Sequence, residues 1–124
     1  MCLTLVQQRR INGFYARCLR TVLHIPSAYI SRISNADVFQ RAGVVPLTEQ
    51  IATRQLNILR SIVRRPVADL SRKLTFMGNG FAPRVGHFIR RVGRPRASWV
   101  HSVLAYAERT LGPNFMEALR NANV

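Results

Sequence analysis

Two stretches of apolar residues at helical spacing, each closed by a proline, constrain this chain more than any other feature. The first runs from about Leu3 to His24 and stops before Pro26. Ile11, Phe14, Tyr15, Cys18, Leu19, Val22 and Leu23 fall on one half of its helical wheel, and Arg9, Arg10, Arg17 and Arg20 on the other. The second runs from about Leu47 to Arg65 and stops at Pro66, because a residue before proline is pushed out of the helical region. Ile51, Ala52, Leu56, Ile58, Leu59, Ile62 and Val63 make its broad apolar arc, and Arg54, Arg60, Arg64 and Arg65 occupy the remainder. Thr48 is its candidate cap. A strand would need alternation with a period of two, which neither stretch shows.

Shorter elements fill the gaps. Ser34 to Ala42 reads as a helix, with Ser34 positioned to cap the N–H of Asp37 and Gly43 suited to a left-handed terminus. Val38 and Phe39 are its expected core contacts. A further helix is expected from Ala97 or Ser98 to about Leu111, burying Trp99, Val103, Tyr106 and Ala107. Gly112-Pro113 breaks it, and a final short helix turns Phe115, Met116 and Leu119 inward. Between Val67 and Arg96 the periodicity fails. A turn of helix over Asp69 to Lys73 and an extended piece over Leu74 to Met77 fit there, and glycines and prolines punctuate the rest. The expected fold is mainly α: a small bundle of about four to five helices with an irregular Gly/Pro-rich basic arm. The expected division is a basic three-helix unit over 1–66, an irregular linker or arm over 67–96 and a helical hairpin over 97–124. In the first unit the two long helices would pack apolar face to apolar face, with the short one as a strut. At 124 residues and 48% hydrophobic composition, a modest core is affordable in one small domain.

Charge decides the class of partner. Nineteen Lys and Arg stand against five Asp and Glu, a net charge of +14. Such a surface attracts polyanions before any contact forms, nucleic acid first and anionic membrane next. Lys73 is the sole lysine. Arginine's planar fork holds phosphate bidentately and stacks on bases. Four arginines on one helix with no acid beside them repel one another. A solvated charged face or a bound polyanion both accommodate that.

The residues of catalysis are missing from the pattern. Two-metal chemistry needs grouped carboxylates, yet Asp37, Glu49, Asp69, Glu108 and Glu117 are scattered. His24, His87 and His101 have no Cys or acid at ligand spacing. No phosphate-cradling glycine loop and no nucleophile elbow is present. No metal, cofactor or small-molecule substrate is expected. Cys2 and Cys18 are too few for a disulfide framework, and Cys18, on the apolar side of its helix, is expected to be a buried free thiol. No apolar run reaches the length of a membrane span.

One local motif is distinctive. His87-Phe-Ile-Arg-Arg-Val-Gly-Arg-Pro-Arg96 contains a Gly93-Arg94-Pro95 core that resembles an AT-hook, in which an extended backbone follows a narrow minor groove. Pro95 keeps Arg94 extended, Gly93 permits close approach, and Arg90, Arg91 and Arg96 are placed for flanking phosphates. Val92 stands where the usual motif has arginine. A basic turn leading into the Trp99 helix accounts for the same residues.

Arg9-Arg-Ile-Asn-Gly-Phe-Tyr-Ala-Arg-Cys-Leu-Arg20, Tyr29-Ile-Ser-Arg-Ile-Ser-Asn-Ala-Asp37, Arg41-Ala-Gly-Val-Val-Pro-Leu47, Arg54-Gln-Leu-Asn-Ile-Leu-Arg60, Arg64-Arg-Pro66 and Val92-Gly-Arg-Pro-Arg-Ala-Ser-Trp99 follow in that order. This succession resembles the region C-terminal to the polymerase domain, the thumb or connector, in non-LTR (LINE-type) retrotransposon reverse transcriptase polyproteins. The likeness covers about residues 7 to 100. Ser61-Ile62 departs from the Gly-His common in that family's third helix. The resemblance implies a helical element that grips template and primer beside a polymerase, through the backbone rather than the bases. It implies Arg17, Arg20, Arg54, Arg60, Arg94 and Arg96 as contact positions and a nuclear location. The polymerase core with its paired aspartates is absent from the sequence, so reverse transcription is not expected of this chain. The expected function is therefore non-catalytic nucleic-acid binding, DNA or RNA, through Arg9, Arg10, Arg17, Arg20, Arg54, Arg60, Arg64, Arg65, Arg90, Arg91, Arg94 and Arg96. An organellar or ribosomal RNA-binding protein, a membrane-surface amphipathic protein and a non-functional retroelement relic are the other classes that fit.

Overall fold

A computed structural model describes residues 3–84, 93 and 99–121. Within these the chain is mainly helical, in the order α1 (Leu5–Val22), α2 (Ala28–Ser31), α3 (Asn35–Ala42), α4 (Leu47–Arg64), α5 (Leu70–Thr75), α6 (Trp99–Leu111) and α7 (Phe115–Asn121). The expected fold class stands. The chain divides into two compact units, Leu3–Thr53 and the residues from Arg54 onward, and the boundary falls inside α4. The apolar residues of α4 thus serve two different cores, and the expected boundary at residue 96 lies outside the described residues.

In the N-terminal unit, α1 begins with a reciprocal cap: Gln7 N–H donates to Thr4 Oγ1 and Thr4 N–H donates to Gln7 Oε1. The same device opens α3, where Ser34 Oγ accepts from Asp37 N–H at 3.1 Å and Gly43 ends the helix at φ 66°. The side-chain and backbone hydrogen bonds of Ser34 hold the Asp37 carboxyl below its ordinary pKa, with Arg41 adding a smaller push in that direction. α1 packs on α3, with Ala16, Val38 and Phe39 buried and the Tyr15 and Phe39 rings stacked at 5.8 Å. The two long helices were expected to lie face to face. Instead α1 meets the first turn of α4 through polar contacts. Thr48 N–H donates to Asn12 Oδ1 at 3.2 Å, and Asn12 Nδ2 donates to Thr48 Oγ1 at 3.0 Å. Thr48 lies within α4 rather than capping it. Asn12, from a different helix, satisfies an N–H that α4 itself leaves without a partner.

The inward face of α1 is rotated from the expected one. Ala16 and Arg20 are buried, whereas Phe14, Cys18 and Val22 face solvent. The buried thiol expected at Cys18 is therefore an exposed one. Ala16 explains the rotation, since its small side chain lets α3 approach closely and places Arg20, one turn on, beneath the loop before α3.

The C-terminal unit is built on Leu56, Leu59 and Val63 of α4, Val103 and Ala107 of α6, Leu119 of α7 and Phe76. Phe115 and Met116 pack against this cluster half-buried, and Trp99 joins them. Ile58, expected in the apolar arc of α4, is exposed. The expected irregular arm is only partly such. Asp69 caps α5 by accepting from Ser71 N–H at 2.9 Å, and Phe76 pairs with Pro83 in an isolated antiparallel bridge. Leu74 and Thr75 continue α5 rather than extending. Phe76 is fully buried and meets Phe81 edge-on at 5.5 Å. Residues 67–84 thus contribute to the core that their lack of periodicity concealed. No described helix is long and apolar enough to cross a membrane.

Candidate nucleic-acid interface

The helices sort the candidate arginines into three groups. Arg9, Arg10 and Arg17 of α1 and Arg54 of α4 are exposed, and among the described residues no carboxylate lies within ion-pair distance of them. The α1 sequence contains no acid, so nothing on that helix neutralises its guanidiniums. These are the positions with free hydrogen-bonding capacity for an incoming anion.

A second group is engaged in holding the fold. Arg20 is 6% exposed, which corrects its expected place on an outward arginine stripe. Its Nη1 donates to the Pro26 carbonyl at 3.1 Å and to Ser31 Oγ at 3.3 Å, and its Nη2 donates to the Ile33 carbonyl and to Asn35 Oδ1. One guanidinium thereby gathers the loop from Pro26 to Asn35 against α1, including Arg32 in the left-handed region at φ 57°. Four terminal N–H groups on four acceptors leave this fork little room for a phosphate. Arg64 Nε donates to the Leu119 carbonyl at 3.3 Å, tying α4 to α7. Arg65 pairs with Asp69 at 3.4 Å, the one ion pair among the described residues. Asp69 is pushed up by desolvation, but the Ser71 N–H and Arg65 outweigh this and lower its pKa. Arg60 is half-buried, with Nη1 near Asn57 Oδ1 at 3.5 Å and no partner for Nε. Arg64, Arg65 and Arg60 are thus reached by neighbours within the fold, unlike Arg9, Arg10 and Arg17. Arg90, Arg91, Arg94 and Arg96 lie outside the described residues, as does Pro95; Gly93 alone of the AT-hook-like core is described.

Two of the exposed arginines of α1, Arg10 and Arg17, border a depression. A cavity of about 700 Å³ is lined by Arg10, Gly13, Arg17 and Arg20 on the α1 side, and by Ser27 and Asn35 at the starts of α2 and α3. Gly13 leaves its floor without a side chain, and a Cβ built there meets nothing within 4 Å. The positive potential of two unpaired guanidiniums is therefore focused on an open groove whose base is bare backbone. Neither the groove nor the role of Asn12 was anticipated from the sequence. Gly13 in mid-helix, costly to helix propensity, is the signal that could have pointed to the groove. No protein-family model matches the chain, and no curated protein and no solved structure matches it.

Proposed function

We propose that this chain is a non-catalytic nucleic-acid-binding segment that grips the sugar-phosphate backbone through the outer face of α1. The observation that supports this reading best is the group Arg9, Arg10 and Arg17: exposed, without an ion pair among the described residues, on a helix without acids, with Arg10 and Arg17 lining an open groove. Phosphate oxygens fit the guanidinium fork, and backbone contacts need no base to be read. The likeness to the post-polymerase region of LINE-type reverse transcriptases agrees with this assignment.

Binding is tested by titrating the chain against labelled duplex and single-stranded oligonucleotides at several salt concentrations. Log affinity is expected to fall with log salt by about 0.9 for each phosphate neutralised on B-DNA, or about 0.7 on single strands. Arg10→Gln and Arg17→Gln are each expected to reduce that slope by roughly one phosphate. Affinity that ignores salt, or a slope untouched by either substitution, rules the reading out.

A second reading is favoured by aliphatic exposure. Leu5, Val6, Val22 and Ile30 in the N-terminal unit, and Leu70 and Leu74 in the C-terminal one, stand largely in water. Such side chains suit burial against a neighbouring protein domain, such as the polymerase that the resemblance places upstream. Suppression of aggregation by that domain, supplied in trans, would support a connector role.

A further inference from the structure

We infer that the groove of the N-terminal unit takes a single-stranded nucleic acid, seating phosphates at Arg10 and Arg17 and stacking bases on Phe14 and Tyr29. The inference rests on the proposed backbone-binding role and names its substrate class.

The argument starts from where the aromatic rings are. Tyr15 and Phe39 stack on each other, Phe76 and Phe81 meet edge-on, and Trp99, Tyr106 and Phe115 pack against the C-terminal core. Among the described aromatic residues, Phe14 at 61% exposure and Tyr29 at 83% are the two that stand mostly in water. Neither ring lines the depression itself, but each directly follows in sequence a residue that does, Gly13 and Ala28. Phe14 lies four residues after Arg10 and three before Arg17, so it sits at the edge of the apolar half of α1, next to both arginines. Tyr29 follows Ala28, which lines the opposite wall, and the Arg32 guanidinium lies 5.7 Å from its ring centroid.

A protein partner for these rings would have to match the arginines beside them with carboxylates. A second copy of this chain has only five acids and a charge of +14, so self-association is opposed. A duplex offers phosphates, but its bases are stacked inside and closed to the rings. A single strand offers both at once: charge for the guanidiniums, and unstacked bases for exposed aromatic faces and for Arg32. Glycine at position 13 lets the strand's backbone approach the helix closely.

The test uses the full chain with three labelled probes of equal length: a single strand of mixed sequence, the same strand without bases, and the corresponding duplex. Phe14→Ala and Tyr29→Ala are each expected to weaken binding to the mixed strand by about tenfold, with the salt slope unchanged. Tyr29→Trp is expected to retain affinity. On the abasic strand, wild type and both alanine variants should bind equally. Helix content by circular dichroism should be unaltered, because both side chains are exposed. Wild-type preference for duplex, or salt-dependent binding indifferent to both alanines, overturns this inference and leaves backbone binding standing. Absence of salt-dependent binding to all three probes overturns both. So does stronger binding to vesicles of anionic phospholipid than to any oligonucleotide.

Discussion

Arg20→Ala should separate folding from binding. The side chain is 6% exposed and donates four hydrogen bonds along the Pro26–Asn35 segment. Hydrogen bonds from a charged donor contribute about 1.5–3 kcal/mol each, which would sum to far more than one residue delivers. Two discounts apply. Three of the four contacts are 3.1–3.3 Å, at the long end for such bonds, and Ser31 Oγ already accepts from Ile33 N–H. Truncation also removes the charge itself and leaves room for water to reach the abandoned carbonyls, so no unpaired ion remains buried. The net loss should be about 3 kcal/mol, the scale at which mutants with a named structural cause fall. Urea unfolding followed by far-ultraviolet circular dichroism reads it as a fall in midpoint. At about 1–1.5 kcal/mol per molar of urea, that is a shift of roughly 2–3 M. Arg20→Lys, with a shorter reach and no fork, should fall between wild type and alanine. In native conditions the folded fraction of Arg20→Ala should keep the full salt slope of binding. A stability change within about 0.5 kcal/mol, together with a slope reduced as in Arg17→Gln, would show that Arg20 faces the ligand and that the clamp has been misread.

Other outcomes follow from single features. In a Cys2→Ser background, Cys18 should react with a maleimide in the native protein at the rate of a free thiol, since it lies at the surface; protection until denaturant is added would contradict the rotated face of α1. Gly13→Ala should stabilise α1 by about 0.5–1 kcal/mol, because no atom obstructs the new methyl. The same substitution should weaken oligonucleotide binding, and an unchanged affinity would remove Gly13 from the groove floor. Phe76→Ala, at a fully buried ring, should cost about 3–5 kcal/mol in thermal or urea unfolding of the C-terminal unit, with Trp99 fluorescence as the probe. Asp37 has a folded-state pKa below its unfolded value of 3.8, so its contribution is present above that value and lost as pH falls through the folded one. Amide protection at the start of α3, corrected for the intrinsic pH dependence of exchange, should therefore fall below about pH 3.8, and Asp37→Asn should abolish that loss.

The helices that punctuate themselves were legible. Ser34, Asp37 and Gly43 announce α3 through local chemistry, and Pro66 closes α4 two residues after its last helical position. The facing of α1 was not legible. Hydrophobicity alone puts Phe14, Cys18 and Val22 inward and Arg20 outward. The structure reverses this: Ala16, too small to weigh heavily in such a pattern, is fully buried where α1 packs on α3. Arg20, one turn beyond, meets enough carbonyls to be buried as a charge. The contacts that decide its fate come from residues up to fifteen positions away, and no periodicity encodes them. The site was legible as a charge and not as a shape. Arg9, Arg10 and Arg17 could be read as a basic surface, but the groove depends on the course of the loop after Pro26, which the sequence pattern leaves open. Phe76 escaped for the opposite reason: it sits in a stretch with no repeat, held by a single bridge to Pro83.

That α4 runs unbroken across the boundary between the units limits how this protein can be dissected. Its first seven residues belong to one core and its last eleven to the other, joined by a continuous ladder of peptide hydrogen bonds. Severing the chain at Thr53 would strand each piece as a stub below the ~12–15 residues at which a lone helix holds together in water. Two halves expressed separately should therefore each carry the complete α4, and a protease that nicks the middle of that rod should damage both cores at a stroke.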